Sequence, residues 1–111
     1  MNTSAQKTSI SVHELADWRQ SDTPHVVLDV REAHELMVCQ LDGIMHIPMN
    51  EIPARIKDVP VDAPVVVMCH HGARSMTVVN FLRRAGLGNA VNLDGGIDAW
   101  AREIDNTVGR Y

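Results

Sequence analysis

Cysteine is scarce in this chain: there are two among 111 residues. Two cannot build a disulfide framework, and the question they raise is reactivity. No apolar run approaches a bilayer span. The longest, VVVMC over residues 65–69, falls far short of the roughly 20 residues a spanning helix needs. No basic run suggests a nucleic-acid patch, and ten basic against fourteen acidic residues leave a formal charge of −4. Residues 1–9 are polar and lack an apolar core followed by a small-residue cleavage site, so they do not read as a signal peptide. Free cysteines without an export signal predict the reducing cytoplasm. Internal repeats and low-complexity linkers are missing as well. What is present is ordinary for a globular protein. A hydrophobic share of 45% and a charged share of 22% exclude wholesale disorder. A length of 111 residues predicts a single domain with one core and no second.

Short β-rich runs alternate with helical patterns. Residues 8–10 read as a brief strand. Ser11 and Glu14 form an S-x-x-E capping box that opens a helix to about Gln20. Ser21-Asp22-Thr23-Pro24 breaks it. A strand over 26–28 precedes a helix over about 33–38. Gly43 and Pro48 bracket a strand over 44–47, and a helix follows over about 50–57. The strongest strand signal is 64–69. It is apolar continuously rather than alternately, as expected where helices cover both faces of a parallel sheet. A helix over about 75–85 carries Val78, Leu82 and Ala85 on one face, and Gly86 stops it. A strand over 90–93, the turn Asp94-Gly95-Gly96 and a helix over 97–104 complete the pattern. Such alternation predicts an α/β sandwich with a mostly parallel sheet of about five strands. Ligands bind such sheets beyond the carboxyl ends of the strands. The candidates for chemistry therefore lie at 29–32, 69–75 and 94–96.

Of these, the segment Cys69-His70-His71-Gly72-Ala73-Arg74-Ser75 carries the most. It ends the most apolar strand and leads into a helix. A sulfur over a helix N-terminus meets unpaired N–H groups and the positive end of the dipole. That favours thiolate, the nucleophilic form. His70, His71 and Arg74 add positive potential. Gly72 permits a backbone that curls N–H groups inward as an anion nest, and Ser75 is placed to cap the helix. The chemistry that fits is attack by Cys69 on an electrophilic centre within an anion, with the oxyanion held by backbone N–H groups and Arg74.

Cys69-His70-His71-Gly72-Ala73-Arg74 resembles the six-residue active-site loop of the rhodanese sulfurtransferases. The likeness extends over residues 10–102. Leu28-Asp29-Val30-Arg31-Glu32 looks like the family's D-V-R-E strand end. Asp42-Gly43-Ile44-Met45-His46-Ile47-Pro48 is similar to its H-I-x-G-A-x-x-I-P stretch. Asn92-Leu93-Asp94-Gly95-Gly96-Ile97-Asp98-Ala99-Trp100 is similar to its closing G-G-x-x-x-W. Gln40 stands where many relatives have histidine, and Ile44 where alanine is usual. The resemblance implies a three-layer α/β/α sandwich around a five-stranded parallel sheet, strand order 3-2-4-5-1. It implies a Cys69 persulfide that takes sulfur from thiosulfate or a persulfide donor and yields it to cyanide or a thiol. By the same resemblance residues 70–75 form the cradle, Arg74 meets the oxyanion, a protein donor or acceptor is open, and no metal or organic cofactor takes part.

Each sharp reading has a bland rival. Cys69 as an inert core thiol is outweighed by its place between strand and Gly-containing loop. For Cys39, late in a helix without a cradle, packing is favoured. His70 and His71 as zinc ligands are disfavoured, because neighbours seldom converge on one ion and no second ligand pair is present. Asp29, Arg31 and Glu32 read as a cap and ion pair holding the loop, and His46 as structural. Arg83 and Arg84 suit a helix C-terminus, while Trp18 and Trp100 are expected to pack. A cysteine phosphatase or arsenate reductase is a rival function. Those loops follow C-x5-R, and Cys69-x4-Arg74 is one residue shorter. A sulfur-relay module with a dedicated protein donor is the other.

Overall fold

The computed structural model describes residues 7–111; the polar N-terminal stretch read above therefore lies largely outside the described residues. Strands β1 (Ser9–Ile10), β2 (Val26–Asp29), β3 (Met45–His46), β4 (Val65–Met68) and β5 (Ala90–Leu93) form one sheet, ordered β1-β5-β4-β2-β3. All neighbours run parallel. This is the expected order 3-2-4-5-1 read from the other edge. Helices α1 (Val12–Gln20), α2 (Ala33–Leu36) and α3 (Ala73–Arg84) lie between strands, and α4 (Gly96–Glu103) follows the last one.

β4 explains the layering. Its four residues are all buried, and they alternate between two cores. Val66 and Met68 face Leu15 of α1 and Ile97 and Trp100 of α4. Val65 and Val67 face Val78, Val79 and Leu82 of α3, together with Ile52. A strand apolar on both faces is thus covered on both sides, which is the sandwich the continuous run implies. Trp18 packs half-buried against the first cluster, and Trp100 lies within it.

Local signals hold at several ends. The Ser11–Glu14 box is formed, with Glu14 N–H donating to Ser11 Oγ and Ser11 N–H to Glu14 Oε1, each at 3.1 Å. α3 ends in a Schellman arrangement. Leu87 N–H reaches Leu82 O at 2.9 Å and Gly86, at φ +101°, donates to Arg83 O at 3.1 Å. Arg83 does more than complement the helix dipole: it donates to Ala90 O and Lys7 O, both at 2.8 Å.

Three expectations need correction. The helix over 33–38 stops at Leu36, so Cys39 lies beyond it rather than in its last turn. The Arg31 guanidinium takes the carbonyls of Glu35 at 3.4 Å and Cys39 at 2.9 Å, which supplies the chain there with a partner other than helix. The helix over 50–57 is two 3-10 segments, Met49–Glu51 and Pro53–Asp58, the second kinked at Arg55. Pro53 has no N–H to donate, which disfavours one continuous α-helix here. α3 begins at Ala73 with Gly72 as its cap, so Ser75 does not cap it but sits in its first turn.

Among the described residues no helix is long and apolar enough to cross a membrane.

Candidate active site

The carboxyl ends of β2, β4 and β5 lie side by side, and the loop after β4 is built onto the turn after β5. Ile97 N–H donates to Cys69 O at 3.0 Å and Asp98 N–H to His70 O at 3.1 Å. These are first-turn donors of α4, which have no helical partner of their own. With its carbonyls drawn toward α4, the loop presents the Gly72 N–H to the cysteine. The approach requires Gly96. At φ +60°, a Cβ there would lie 2.5 Å from both Cys69 O and His70 O. Gly72 sits at φ +113°, with its own Cβ direction 3.3 Å from Gly95 N. The two glycine elements therefore pack backbone to backbone.

Cys69 is only 1% exposed and packs against the second core cluster. Its sulfur nevertheless has polar company. Gly72 N–H donates to Sγ at 3.0 Å, and Ser75 Oγ lies 3.3 Å from it. Ser75 Oγ also contacts Asn92 Oδ1, from β5. The N–H groups of Ala73, Arg74 and Ser75 open α3 and have no partner within it. Among the described residues Gly72 supplies the one backbone N–H that reaches the resting sulfur.

Around this centre runs an ionic lattice. Arg74 forks onto Glu35, Nη1 to Oε1 at 2.7 Å and Nη2 to Oε2 at 2.8 Å. Arg74 and burial act on Glu35 in opposite directions, and Arg74 wins: the carboxyl is held well below the usual carboxylate range. Tyr111 donates to Glu35 Oε2 at 2.8 Å and accepts from Arg31 Nη1 at 2.9 Å. Arg31 and Asp29 are fully buried as a 2.7 Å ion pair. His46 Nε2 meets Arg31 O at 2.7 Å. The readings of Asp29 and Arg31 as a loop-holding pair and of His46 as structural fit this geometry. So does packing for Cys39, which is buried with its sulfur 3.9 Å from Arg31 Nη1. Arg74, read from the sequence as the oxyanion contact, is here already neutralised by a carboxylate.

The two histidines lie outside the sulfur. His70 is sandwiched between Tyr111, 3.9 Å away and nearly parallel, and His71 at 3.8 Å. Burial, aided by His71, pushes the His70 imidazole toward its neutral form. Its buried Nε2 has no hydrogen-bond partner among the described residues. His71 is mostly exposed, 4.0 Å from Asp98. Donor atoms of His70, His71 and Asp98 fall within 4.8 Å of one another. Adjacent histidines thus do converge, contrary to the reasoning used against zinc. Asp98, however, is held by Arg102 and Arg110 at 3.0 Å each, which supplies positive charge where a cation would sit.

Four contributors escaped the sequence reading: Glu35, Asn92, Tyr111 and the close-approach role of Gly96. Glu35 lies in a segment read only as helix, over about 33–38. Asn92 and Gly96 stood inside a quoted segment without a role. Nothing local marks Tyr111.

The Rhodanese-like domain family matches residues 11–103. A sulfurtransferase of Allochromatium vinosum is 40% identical over 80% of this chain and 84% of its own length. The thiosulfate sulfurtransferase GlpE of Tolumonas auensis is 31% identical over 86% of this chain and 90% of its own. The probable adenylyltransferase/sulfurtransferase MoeZ of Mycobacterium tuberculosis is 32% identical over 96% of this chain, which spans only 28% of that longer protein. Among solved structures, a rhodanese-related protein from Thermoplasma volcanium superposes with a TM-score of 0.77 at 36% identity, over 87% of this chain and 93% of that one. With the loop after β4, the parallel sheet and these likenesses in agreement, the chain belongs to the rhodanese-like domain family.

Proposed function

We propose that this domain is a sulfurtransferase that carries a sulfane sulfur on Cys69. The observation that carries the reading is the Cys69 sulfur receiving the Gly72 N–H at 3.0 Å, at the mouth of α3. The thiolate attacks the outer sulfur of thiosulfate or of a persulfide donor. An S–S bond forms to Cys69 as the donor's S–S bond breaks, and its electron pair leaves with sulfite or with the donor thiolate. The negative charge now sits on the outer sulfur of the Cys69 persulfide, about 2 Å farther out. The N–H groups of Ala73, Arg74 and Ser75, which open α3, are the donors suited to hold that charge. Cyanide or an acceptor thiolate then takes the outer sulfur and returns the Cys69 thiolate.

The likeness to GlpE supports thiosulfate as one donor, and the likeness to MoeZ supports a sulfur relay between proteins. A phosphatase-type reading is less favoured, because the spacing from Cys69 to Arg74 is short and Arg74 is committed to Glu35. The test is incubation with thiosulfate followed by intact mass and by thiocyanate release on adding cyanide. Gain of one sulfur atom that cyanide removes is the expected result. An unchanged mass with both thiosulfate and a low-molecular persulfide would overturn the reading.

The Arg74–Glu35 fork makes a further prediction about the donor. Thiosulfate brings two negative charges to a mouth whose arginine is already neutralised. Glu35→Gln keeps the side-chain shape and uncovers the Arg74 charge. The KM for thiosulfate should fall about three- to tenfold at low salt, and the gain should fade as ionic strength screens it. An unchanged KM would show that Arg74 does not face the donor.

A further inference from the structure

Ser75 and Asn92 are both buried, and the Ser75 hydroxyl links Asn92 to the nucleophile. Ser75 has one hydroxyl proton and two acceptors within reach, Cys69 Sγ at 3.3 Å and Asn92 Oδ1. It serves only one of them at a time. The orientation of the Asn92 amide decides which. Its Nδ2 lies 3.5 Å from Asp94 Oδ1. Turned over, the amide would set its oxygen against that carboxylate and its nitrogen toward Ser75. Asp94 therefore keeps the carbonyl end of Asn92 pointed at the Ser75 hydroxyl.

From this geometry we infer that Asn92 is a positioning residue that competes with Cys69 for the Ser75 proton and so restrains the bare thiolate. The inference rests on the reading of Cys69 as the sulfur carrier. In the thiol form every group is satisfied: S–H donates to Ser75 Oγ, and the Ser75 hydroxyl donates to Asn92 Oδ1. In the thiolate form the hydroxyl must turn to Sγ, and a buried amide oxygen is left without its donor, which is costly. Once a sulfur is loaded, the charge has moved to the outer atom. Sγ no longer needs the hydroxyl, and the proton returns to Asn92. The pair therefore disfavours the empty thiolate relative to both the thiol and the persulfide. It biases the site toward holding sulfur once charged. No proton leaves the pair in this exchange; only the direction of one O–H changes.

The other charged groups near the site are Arg74 with its Glu35 partner, His70 and His71 in the loop, Asp98 on α4 and Asp94. Of these, only Asp94 loses a contact in the Asn92 variants, the 3.5 Å bond from Asn92 Nδ2, and the double variant with Ser75→Ala carries the same loss. The test is the pH profile of Cys69 alkylation, read by mass on the full chain. Ser75→Ala removes the one side-chain donor to the sulfur among the described residues. Its alkylation midpoint should rise by about one pH unit, with about tenfold slower reaction below the midpoint. Asn92→Leu removes the competitor and leaves the hydroxyl to the sulfur. Its midpoint should move the other way, with alkylation about three- to tenfold faster at the same pH. In a Ser75→Ala background the Asn92 substitution should have no further effect, since it acts through that hydroxyl. Asn92→Ala provides the same comparison if the leucine variant fails to fold.

Opposite signs that collapse in the double variant support the inference. A shift of the same sign as Ser75→Ala, no shift, or a shift that survives without Ser75 overturns it. Alkylation needs no sulfur donor. If the chain takes up no sulfur but the opposite signs appear, the sulfurtransferase reading fails while the hydroxyl competition stands.

Discussion

Replacing Cys69 by serine is expected to lower thiosulfate-dependent thiocyanate formation by on the order of 10⁴-fold or more, to the level of the uncatalysed mixture. The reason is chemical rather than structural. A hydroxyl at this position remains protonated at neutral pH, and oxygen forms no stable analogue of the persulfide. Serine is close in size to cysteine, and the Gly72 N–H and Ser75 hydroxyl that meet the sulfur also suit an oxygen. The fold should therefore survive, and thermal unfolding should change little while turnover disappears. Cys39 supplies the internal control. It is buried beside Arg31 and among the described residues receives no backbone N–H at its sulfur, so Cys39→Ser should load sulfur as the parent does. The decisive measurement is intact mass after thiosulfate for both variants. Sulfur retained on the Cys69→Ser chain would move the carrier role to Cys39 and undo the proposed mechanism.

What the sequence discloses of this site divides by distance along the chain. The β4 run, the Ser11–Glu14 box and the Gly86 stop are signals within a few residues, and the structure forms each of them. The loop from Cys69 to Ser75 is contiguous, so its residue types were legible as a group. Its geometry was not. Whether Arg74 is free or neutralised depends on Glu35, 39 positions away. Glu35 in turn depends on Tyr111, 76 positions further on. No local periodicity encodes such a pairing; it exists because parallel strands bring the ends of β2, β4 and β5 together. Ser75 failed as a cap for a related reason. Gly72 at φ +113° starts the helix earlier, and the hydroxyl turns inward to Cys69 and Asn92 rather than back to an N–H. A serine before a helical run signals a cap only where the turn in front of it leaves the side chain nothing better to meet. The 3-10 segments have the same moral. Proline at 53 was visible, but its consequence needed the i to i+3 bonds on either side, such as Ile52 N–H to Met49 O at 3.2 Å.

The backbone contact that seats the loop sets the largest expected effect on stability. Gly96→Ala places a methyl 2.5 Å from two carbonyl oxygens and 2.7 Å from the His70 carbonyl carbon. All three neighbours are backbone, so no side-chain rotation relieves the overlap. The same carbonyls of Cys69 and His70 accept the first-turn N–H groups of α4, and moving them away breaks those bonds. A left-handed residue adds its own cost, about 1 kcal/mol for alanine in place of glycine. Together these imply a loss of about 3–5 kcal/mol, a large part of a small domain's stability. Gly43→Ala separates the two contributions. Gly43 also has a positive φ, +71°, but a Cβ there meets nothing within 4 Å among the described residues. That variant should lose only the backbone share. At about 4–8 °C of melting temperature per kcal/mol for a domain of this size, Gly96→Ala should melt at least about 8 °C below Gly43→Ala. Folded Gly96→Ala protein should also load sulfur poorly, since a displacement of about 1 Å at a reacting group costs on the order of 10²-fold. Equal melting temperatures for the two variants would mean that the loop yields to the methyl without loss. The tight seating of Cys69 and His70 on α4 would then not be what holds the nucleophile in place.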